Sequence, residues 1–512
     1  MASRPKGKGN SAFGRGRDRS LASTSQGARS HAGARQASRD KVEEARKGDA
    51  FDASWGFERL ESGPPKLGWL LNMRTTSIVD LDGSERSALD LYLLQQDGST
   101  FKATLRYSPY FYLDIKKEHV KEVTALLERK FGPLLDGIVP LAKVDLDMPN
   151  HLSGLLHIHL KLSFRNTEDL YSVKRDLLPI VIKNRRNAAA TDAYSGGGGG
   201  GRGGGGGGDS FGAPRTGATL GVGLGSSRRR GGLGYGRQQD AAGAVNYAKS
   251  IIDLREYDVP YHMRVAIDND IRVGAWFIIR PLPASAGTNA IAVEWQRDMV
   301  LKAEPRVLAF DIECCKAPLK FPVADVDEIF MISYMIDGRG YLIISRTVVS
   351  EDIEDFEYTP KPSYPGPFHI FNEPNEEALL RRFIDHCKEL RPNIFVTYNG
   401  DFFDWPYIDK RCEIHGISME SELGVAVTRN GEYRGRCAVH MDAFCWVKRD
   451  SYLPQGSQGL KAVTKYKLGP PPVSVTACER RYRRPKSRSN LSASRQSQWT
   501  PPRRLSPSSS ND

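Results

Sequence analysis

The chain has 512 residues, 73 Lys+Arg against 61 Asp+Glu for a formal charge of +12, 39% hydrophobic residues, 50 Gly and 30 Pro. That length gives room for two to four domains, while the low apolar and high Gly plus Pro content excludes a chain that is folded throughout. No run of about 18 apolar residues suggests a membrane span, no apolar stretch near the N-terminus suggests a secretory signal, and seven cysteines without a regular framework point to a reducing compartment.

The positive charge is segregated. Residues 1–50 carry a net +7, 195–237 a net +5 and 470–512 a net +7, which leaves −7 for the rest. The basic segments therefore read as solvated, disordered stretches, and the pI of 9.2 predicts no basic groove on the folded part. In chain order, residues 1–50 form a tail, and order starts near Phe51–Trp55 and Leu67–Met73. Phe101–Ile115 reads as a strand ending in the aromatic cluster Tyr107, Tyr110, Phe111 and Tyr112. Lys116–Phe131 reads as a helix with Val120, Val123, Leu126, Leu127 and Phe131 on one stripe and Gly132 as its cap. Leu156–Phe164 alternates as a strand, and Asn166 is placed to cap a helix through Leu170, Val173 and Leu177. Strand, helix, strand, helix predicts a ferredoxin-like domain. His157 and His159 share a face of the second strand with no third ligand nearby, and are read as its wet side.

Residues 195–237 hold 21 Gly and read as a flexible insertion. A single Gly-Arg-Gly-Gly at 201–204 reads as linker. Arg228–Arg230 and Arg480–Arg484 suit either nuclear-import patches or soluble tails. Order returns at Ile251, and Met263–Ile267 with Ile271–Phe277 are expected to form a hairpin about Asp268-Asn269-Asp270. Further strands are predicted at Arg306–Glu313, Ile329–Ile336 and Tyr341–Ser345, the last two joined by a turn at Asp337-Gly338. An amphipathic helix follows over Asn375–Leu390, ended by Pro392, then a strand at Ile394–Tyr398 and a helix at Pro406–His415. This order is the opening of a ribonuclease-H-like layer. After Gly469 the sequence has no period and reads as disordered.

Asp311 and Glu313 stand two apart on a predicted strand and so share a face, while Leu308, Phe310 and Ile312 take the other. Two carboxylates crowded on one face repel each other unless a cation joins them. Alone, Asp-x-Glu is a weak signal, since most such pairs are a solvated strand face. Asp401 and Asp404 follow the strand at 394–398, where acids of open sheets gather at the carboxyl end. Spacing does not choose between them, and Asp404 also suits a helix cap.

At these residues the chain resembles family-B DNA polymerases, and among them the epsilon type. Phe310-Asp311-Ile312-Glu313 resembles the family's first exonuclease motif and Asn399-Gly400-Asp401-Phe402-Phe403-Asp404 the second. Leu254–His262, Pro318–Pro322, Met331–Gly338, Val349–Phe356, Val396–Pro406 and Trp446–Pro454 carry the epsilon-type likeness, which runs from Leu67 to Gly469 without the glycine insertion. The resemblance implies a 3′→5′ proofreading exonuclease with two Mg²⁺ or Mn²⁺ ions held by Asp311, Glu313 and Asp404, with Asn399 as a further catalytic, positioning residue. It also implies DNA as partner, as a primer 3′ end and a single-stranded template, together with accessory holoenzyme subunits, no membrane, and a nuclear location in DNA replication.

The chain departs from that pattern. Cys314-Cys315 replaces hydroxyl residues after the first motif, and packing is a better reading for them than a catalytic thiol. The third motif, Tyr-x-x-x-Asp, is absent, because Tyr482 is followed four residues later by Lys486. The polymerase module and the family's iron–sulfur and zinc sites are also expected to be absent. The change after Gly469 reads as a truncated or misread gene, with a short isoform as the alternative. The expected fold is thus mixed α/β and α+β: a basic tail at 1–50, an N-terminal domain at 51–305 containing the ferredoxin-like unit, an incomplete exonuclease domain at 306–469 and a second basic tail at 470–512. Without a covering third-motif helix, the apolar sides at Leu308–Ile312 and Phe330–Met335 are expected to lie partly open. The rival reading is a non-catalytic protein that binds single-stranded nucleic acid.

Overall fold

The computed structural model describes residues 43–80, 83–144, 152–195, 247–283, 290–359, 366–428, 430–449, 453 and 458–468. The expected C-terminal tail, most of the expected N-terminal tail and nearly all of the glycine insertion lie outside the described residues. Two compact units emerge: residues up to Tyr107 with those from Pro260 onward, and Ser108–Val259. No described helix is long and apolar enough to cross a membrane.

The first unit opens with helix α1 at 43–54, so order begins inside the segment read as tail. Strands β1 (Lys66–Val79), β2 (Glu85–Leu94) and β3 (Thr100–Arg106) follow as an antiparallel meander. The aspartates of α1 are what anchor it. Asp52 is fully buried and accepts hydrogen bonds from Lys102 Nζ (2.5 Å), Arg436 Nε (2.5 Å) and Nη2 (3.0 Å), and Tyr92 (3.3 Å). Burial pushes its carboxyl up, but Arg436 and Lys102 more than offset this and hold it below the usual range.

The second unit is built from β4 (Tyr110–Ile115), α2 (Val120–Phe131), β5 (Leu135–Val144), β6 (Leu156–Phe164), α3 (Thr167–Ser195) and β7 (Ile251–Arg255). This is a βαββαβ unit with sheet order β5-β6-β4-β7, as the ferredoxin-like expectation requires. The single strand expected over 101–115 is in fact two, β3 and β4, separated at Tyr107-Ser108-Pro109. Pro109 has no N–H for a ladder, and its carbonyl accepts from Phe164 instead. Phe111, Leu113, Leu160, Leu162 and Phe164 pack with Val123, Leu127, Phe131, Val173 and Leu177 of the two helices. Asn166 Oδ1 accepts from Asp169 N at 2.8 Å, the predicted cap. Gly132 stays right-handed and leads into a 3₁₀ turn rather than a left-handed stop.

Back in the first unit, the hairpin expected at 263–277 is not there. Tyr261–Asp268 is helix α4, started by Pro260 and ended where Asp270 takes φ +51°. Its apolar positions alternate closely enough to mimic a strand, but Val265 alone is buried among its large apolar residues. Strands β8 (Trp276–Pro281) and β9 (Ile291–Trp295) then extend β1, giving the order β3-β2-β1-β8-β9.

The chain continues through β10 (Val307–Cys314), β11 (Ile329–Ile336), β12 (Arg339–Ser345), β13 (Phe356–Glu357), β14 (Pro367–Glu373), α5 (Glu376–Leu390), β15 (Ile394–Thr397), α6 (Asp404–Ile414), α7 (Met419–Leu423), β16 (Val425–Val427), β17 (Tyr433–Gly435), β18 (Val439–Asp442), α8 (Ala443–Arg449) and α9 (Leu460–Leu468). The large sheet runs β13-β14-β12-β11-β10-β15-β18, a ribonuclease-H-like order with β11 antiparallel to β10 and with β15 and β18 parallel to it in turn. Sequence reading missed β14 and β18, whose polar-laced stretches PFHIFNE and VHMD carry no clean period.

The apolar side of β10 is not open. Leu308, Phe310 and Ile312 are buried with Ile332, Tyr334 and Ile336, under Leu379, Leu380 and Phe383 of α5 and Trp405 and Ile408 of α6. The helices already in the chain cover that face, and it is the opposite face, with Val307, Ala309, Asp311 and Glu313, that meets solvent. A buried ion pair ties the two helices. Arg411 reaches both oxygens of Glu376, while Glu376 Oε1 also accepts from Ile329 N at 2.7 Å and Oε2 contacts His415 at 2.8 Å.

Removing Asp52 leaves the buried Lys102 and the half-buried Arg436 short of a partner, so Asp52→Ala is expected to cost about 3–5 kcal/mol in urea unfolding. Because its folded pKa is depressed, the contribution of Asp52 is present above the ordinary carboxylate range and lost as pH falls through the folded value. The variant should therefore lose less stability on acidification than the parent chain.

Candidate active site

The site is assembled by three local rules. Alternation along β10 turns Asp311 and Glu313 to the face opposite the buried Leu308, Phe310 and Ile312. Parallel pairing of Val307, Leu308 and Ala309 with Ile394, Phe395 and Val396 then carries the chain past β10 in the same direction. Finally, a tight turn reverses it into α6. Asn399 takes φ +69° and its carbonyl accepts from Phe402 and Phe403 at 3.2 and 3.1 Å. A Cβ on Gly400 would lie 2.3 Å from Thr397 Oγ1, so glycine is required by close approach.

This turn delivers Asp404 to Asp311. Asp404 is the first residue of α6, and no side chain caps that helix, so the capping role considered for Asp404 is not what it does. Its carboxyl lies against Asp311 and accepts from the Ile312 amide. Burial first, and the charge of Asp311 second, raise Asp404 well above the carboxylate range. Its Oδ1 is buried and has no hydrogen-bond partner. Glu313 is raised too, by burial and then by Asp311. Asp401 goes elsewhere: its Oδ1 accepts from Tyr433 N at 2.8 Å and stands 3.5 Å from His440 Nδ1.

Asp311 and Asp404 are thus brought into contact, with Glu313 beside Asp311 on the same strand face. Tighter groupings of three ligating atoms, within 4.8 Å of one another, occur among the described residues at Asp114, His157 and His159 and at Asp401, Asp442 and Cys445. Asn399 contributes its backbone to the turn, with its N–H donated to Asp442 Oδ1 at 2.7 Å. Burial pushes the Cys314 thiol up to about 12 and raises Cys315 as well, so neither is poised as a nucleophile.

Sequence reading missed Asp442. From the end of β18 its carboxylate accepts from Asn399 N, from Phe444 N (2.9 Å) and from Asp401 N (3.4 Å), pinning the 398–403 turn while capping α8. The signal was present as an aspartate directly before the apolar run Ala443-Phe444-Cys445-Trp446-Val447. Beside the turn, Phe402 and Trp446 are exposed, Lys448 Nζ lies 4.9 and 4.4 Å from the Phe402 and Phe444 ring centres, and Lys467 Nζ lies 5.2 Å from that of Trp446.

Residues 252–463 match the exonuclease domain of DNA polymerase family B. The chain is 45% identical over 431 residues, 84% of its length, to a DNA polymerase epsilon catalytic subunit of Aspergillus fumigatus, and 45% identical over 429 residues, 83% of its length, to one of Arabidopsis thaliana. It spans 18% of the length of each of these relatives. A family B DNA polymerase structure from the archaeon Pyrobaculum calidifontis matches 78% of this chain and 39% of its own, at a TM-score of 0.50 and 16% identity, a likeness of fold. The chain therefore resembles the N-terminal part of an epsilon-type catalytic subunit, with a family B exonuclease domain following the ferredoxin-like unit.

Asp442→Ala removes a cap worth about 1 kcal/mol and frees the Asn399 amide. Hydrogen exchange across 399–405 is expected to speed about five- to thirty-fold, with β10 and α5 protected as before.

Proposed function

We propose that residues 306–469 work as a two-metal 3′→5′ exonuclease domain within an epsilon-type replicative polymerase, trimming misinserted nucleotides from a primer 3′ end in the nucleus. Residues 51–305 would be the N-terminal domain beside the single-stranded template, and accessory subunits would join the whole polymerase. The observation that carries this reading is the contact between Asp404 and Asp311, with Asp404 Oδ1 buried and unpartnered.

An all-oxygen set of carboxylates suits hard cations such as Mg²⁺ or Mn²⁺. Asp311, Glu313 and Asp404 would hold them, and bound ions would supply an activated water and charge stabilisation for in-line phosphodiester cleavage. The protein's own share is positional. β10 fixes two acids at about 3.3–3.4 Å rise per residue, α6 fixes the third, and Asn399 and Asp442 hold the turn between them. Phe402, Trp446 and the two lysines offer stacking faces and positive charge for a frayed single strand, since base–aromatic stacking contributes about 1–3 kcal/mol per base. This same surface suits the binding-only reading, but that reading leaves the crowding of the buried Asp404 against Asp311 without a purpose.

Among the 512 residues no Tyr-x-x-x-Asp follows Gly469, so a fourth acid and a water-orienting tyrosine are not supplied by this chain. We infer that by itself this stretch trims a primer only inefficiently, because loss of one member of a catalytic unit costs orders of magnitude.

Two measurements test this. Mn²⁺ titrated against the chain should bind weakly, at roughly millimolar concentration, and Asp311→Ala should abolish that binding; tight binding that survives the substitution counts against the assignment. On a 3′-mismatched primer the chain should show only trace metal-dependent trimming. Robust trimming that Asp404→Ala abolishes would show the missing motif to be dispensable.

A further inference from the structure

His157 and His159 do have a third ligand nearby, contrary to their reading as the wet side of a strand. Asp114 on β4 is paired in register with His159 on β6, and His157 lies two residues along the same face. One ligating atom from each of the three lies within 4.8 Å of the others. His159 and Asp114 are buried, and His157 is about one-third exposed.

The hydrogen-bond pattern sets the imidazoles up as ligands. His159 Nδ1 is 3.2 Å from the carbonyl oxygen of His157. A carbonyl accepts only, so Nδ1 is the donor in this contact, and in a neutral ring the lone pair then falls on Nε2. A backbone acceptor behind the ring is how metal-bound histidines are commonly oriented. Asp114 Oδ1 stands 2.8 Å from His157 Nδ1, yet it is buried and makes no aligned hydrogen bond. The two atoms are close and misdirected, as two ligands aimed at one centre would be.

The surrounding charges are engaged with one another. Asp253 pairs with Arg185 and, at 2.8 Å, with Arg255. Lys143 pairs with Glu256 at 2.5 Å and lies over the Tyr112 ring at 3.7 Å. Among the described residues, His157 is the partner that stands in ion-pair geometry with Asp114. His159, though neither Asp114 nor His157, also lines a cavity of about 400 Å³ with Tyr112, Lys143, Asp253 and Arg255.

We propose that Asp114, His157 and His159 bind one borderline divalent cation of the zinc(II) class, cross-bracing β4 to β6 in the ferredoxin-like unit. Two neutral imidazoles and one carboxylate suit zinc(II), cobalt(II) or nickel(II) better than the hard ions of the carboxylate cluster. Bonds of about 2.0–2.1 Å in a tetrahedron place ligand atoms roughly 3.3 Å apart, so Asp114 and His157 need to part by only about half an ångström. The alternative is a simple ion pair between a protonated His157 and Asp114, which binds no metal.

Cobalt(II) titrated into the full chain separates the two. The chain is prepared metal-free and fully reduced, and carries Asp311→Asn and Asp404→Asn to silence the carboxylate cluster. The proposal expects visible bands of tetrahedral or five-coordinate cobalt that saturate at one equivalent, are displaced by zinc, and accompany a rise in melting temperature. His157→Gln and His159→Gln should each weaken binding at least tenfold. Absence of bands in the titrated chain overturns the proposal without recourse to either variant. Bands that persist in the double histidine variant, or sulfur-to-cobalt charge-transfer bands that place the ion on cysteine, overturn it too.

Discussion

The structure of the candidate site depends on the burial of alternate residues along β10. That strand lies inside a seven-stranded sheet, with Leu308, Phe310 and Ile312 beneath α5 and α6. Phe310 alone packs against Phe383, Phe395 and Trp405 with ring centres 4.8–6.5 Å apart. A one-residue slip would exchange these side chains with Ala309, Asp311 and Glu313, and would drive two carboxylates into the core. The register that buries the aromatics is therefore the register that presents the acids. Core packing and site geometry are one constraint here, not two.

Asp404 reaches Asp311 through a longer chain of causes. Glu376 and Arg411 tie α6 to α5, and α5 packs on the apolar face of β10. Asp442 pins the turn that starts α6 and belongs to β18, the strand beyond β15. The third acid is thus held from both flanks of the sheet, and none of the groups that hold it needs to touch a substrate. Fixing a buried acid next to another acid is costly, and rigid support of this kind is what keeps such an arrangement from relaxing apart.

Much of this was legible in the sequence, and the reasons differ from element to element. Period-two alternation at 306–313 and the 3–4 stripe of α5 each have one physical reading, and the structure has both. The ferredoxin-like order followed from two strand–helix pairs, 101–131 and 156–177, although the first strand proved to be two. The hairpin expected at 263–277 failed because a short helix with few buried residues leaves no stripe, and Asp268-Asn269-Asp270 serves a helix end as well as a strand turn. β18 and the role of Asp442 were hidden for a related reason: a four-residue strand is defined by its neighbours, not by its own pattern. The choice between Asp401 and Asp404 lay beyond spacing, since it depends on which way the turn at Asn399 faces. The third ligand of His157 and His159 sits more than forty positions away and became a neighbour only through the pairing of β4 with β6.

The two carboxylate-bearing sites differ in a way that follows from their surroundings. At Asp311 and Asp404 like charges meet, and burial raises Asp404 further, so the cluster gains from any hard cation that enters. At Asp114 the carboxylate faces two imidazoles, which can be neutral or charged, so the same site can be satisfied by a proton on His157 or by a metal in its place. The first arrangement is unfavourable without an ion; the second is tolerable without one. That asymmetry explains why acid clustering was visible as a functional signal in the sequence while the histidine pair was not. Crowded like charges demand an account wherever they occur, whereas two histidines on a strand are ordinary until the fold supplies the aspartate.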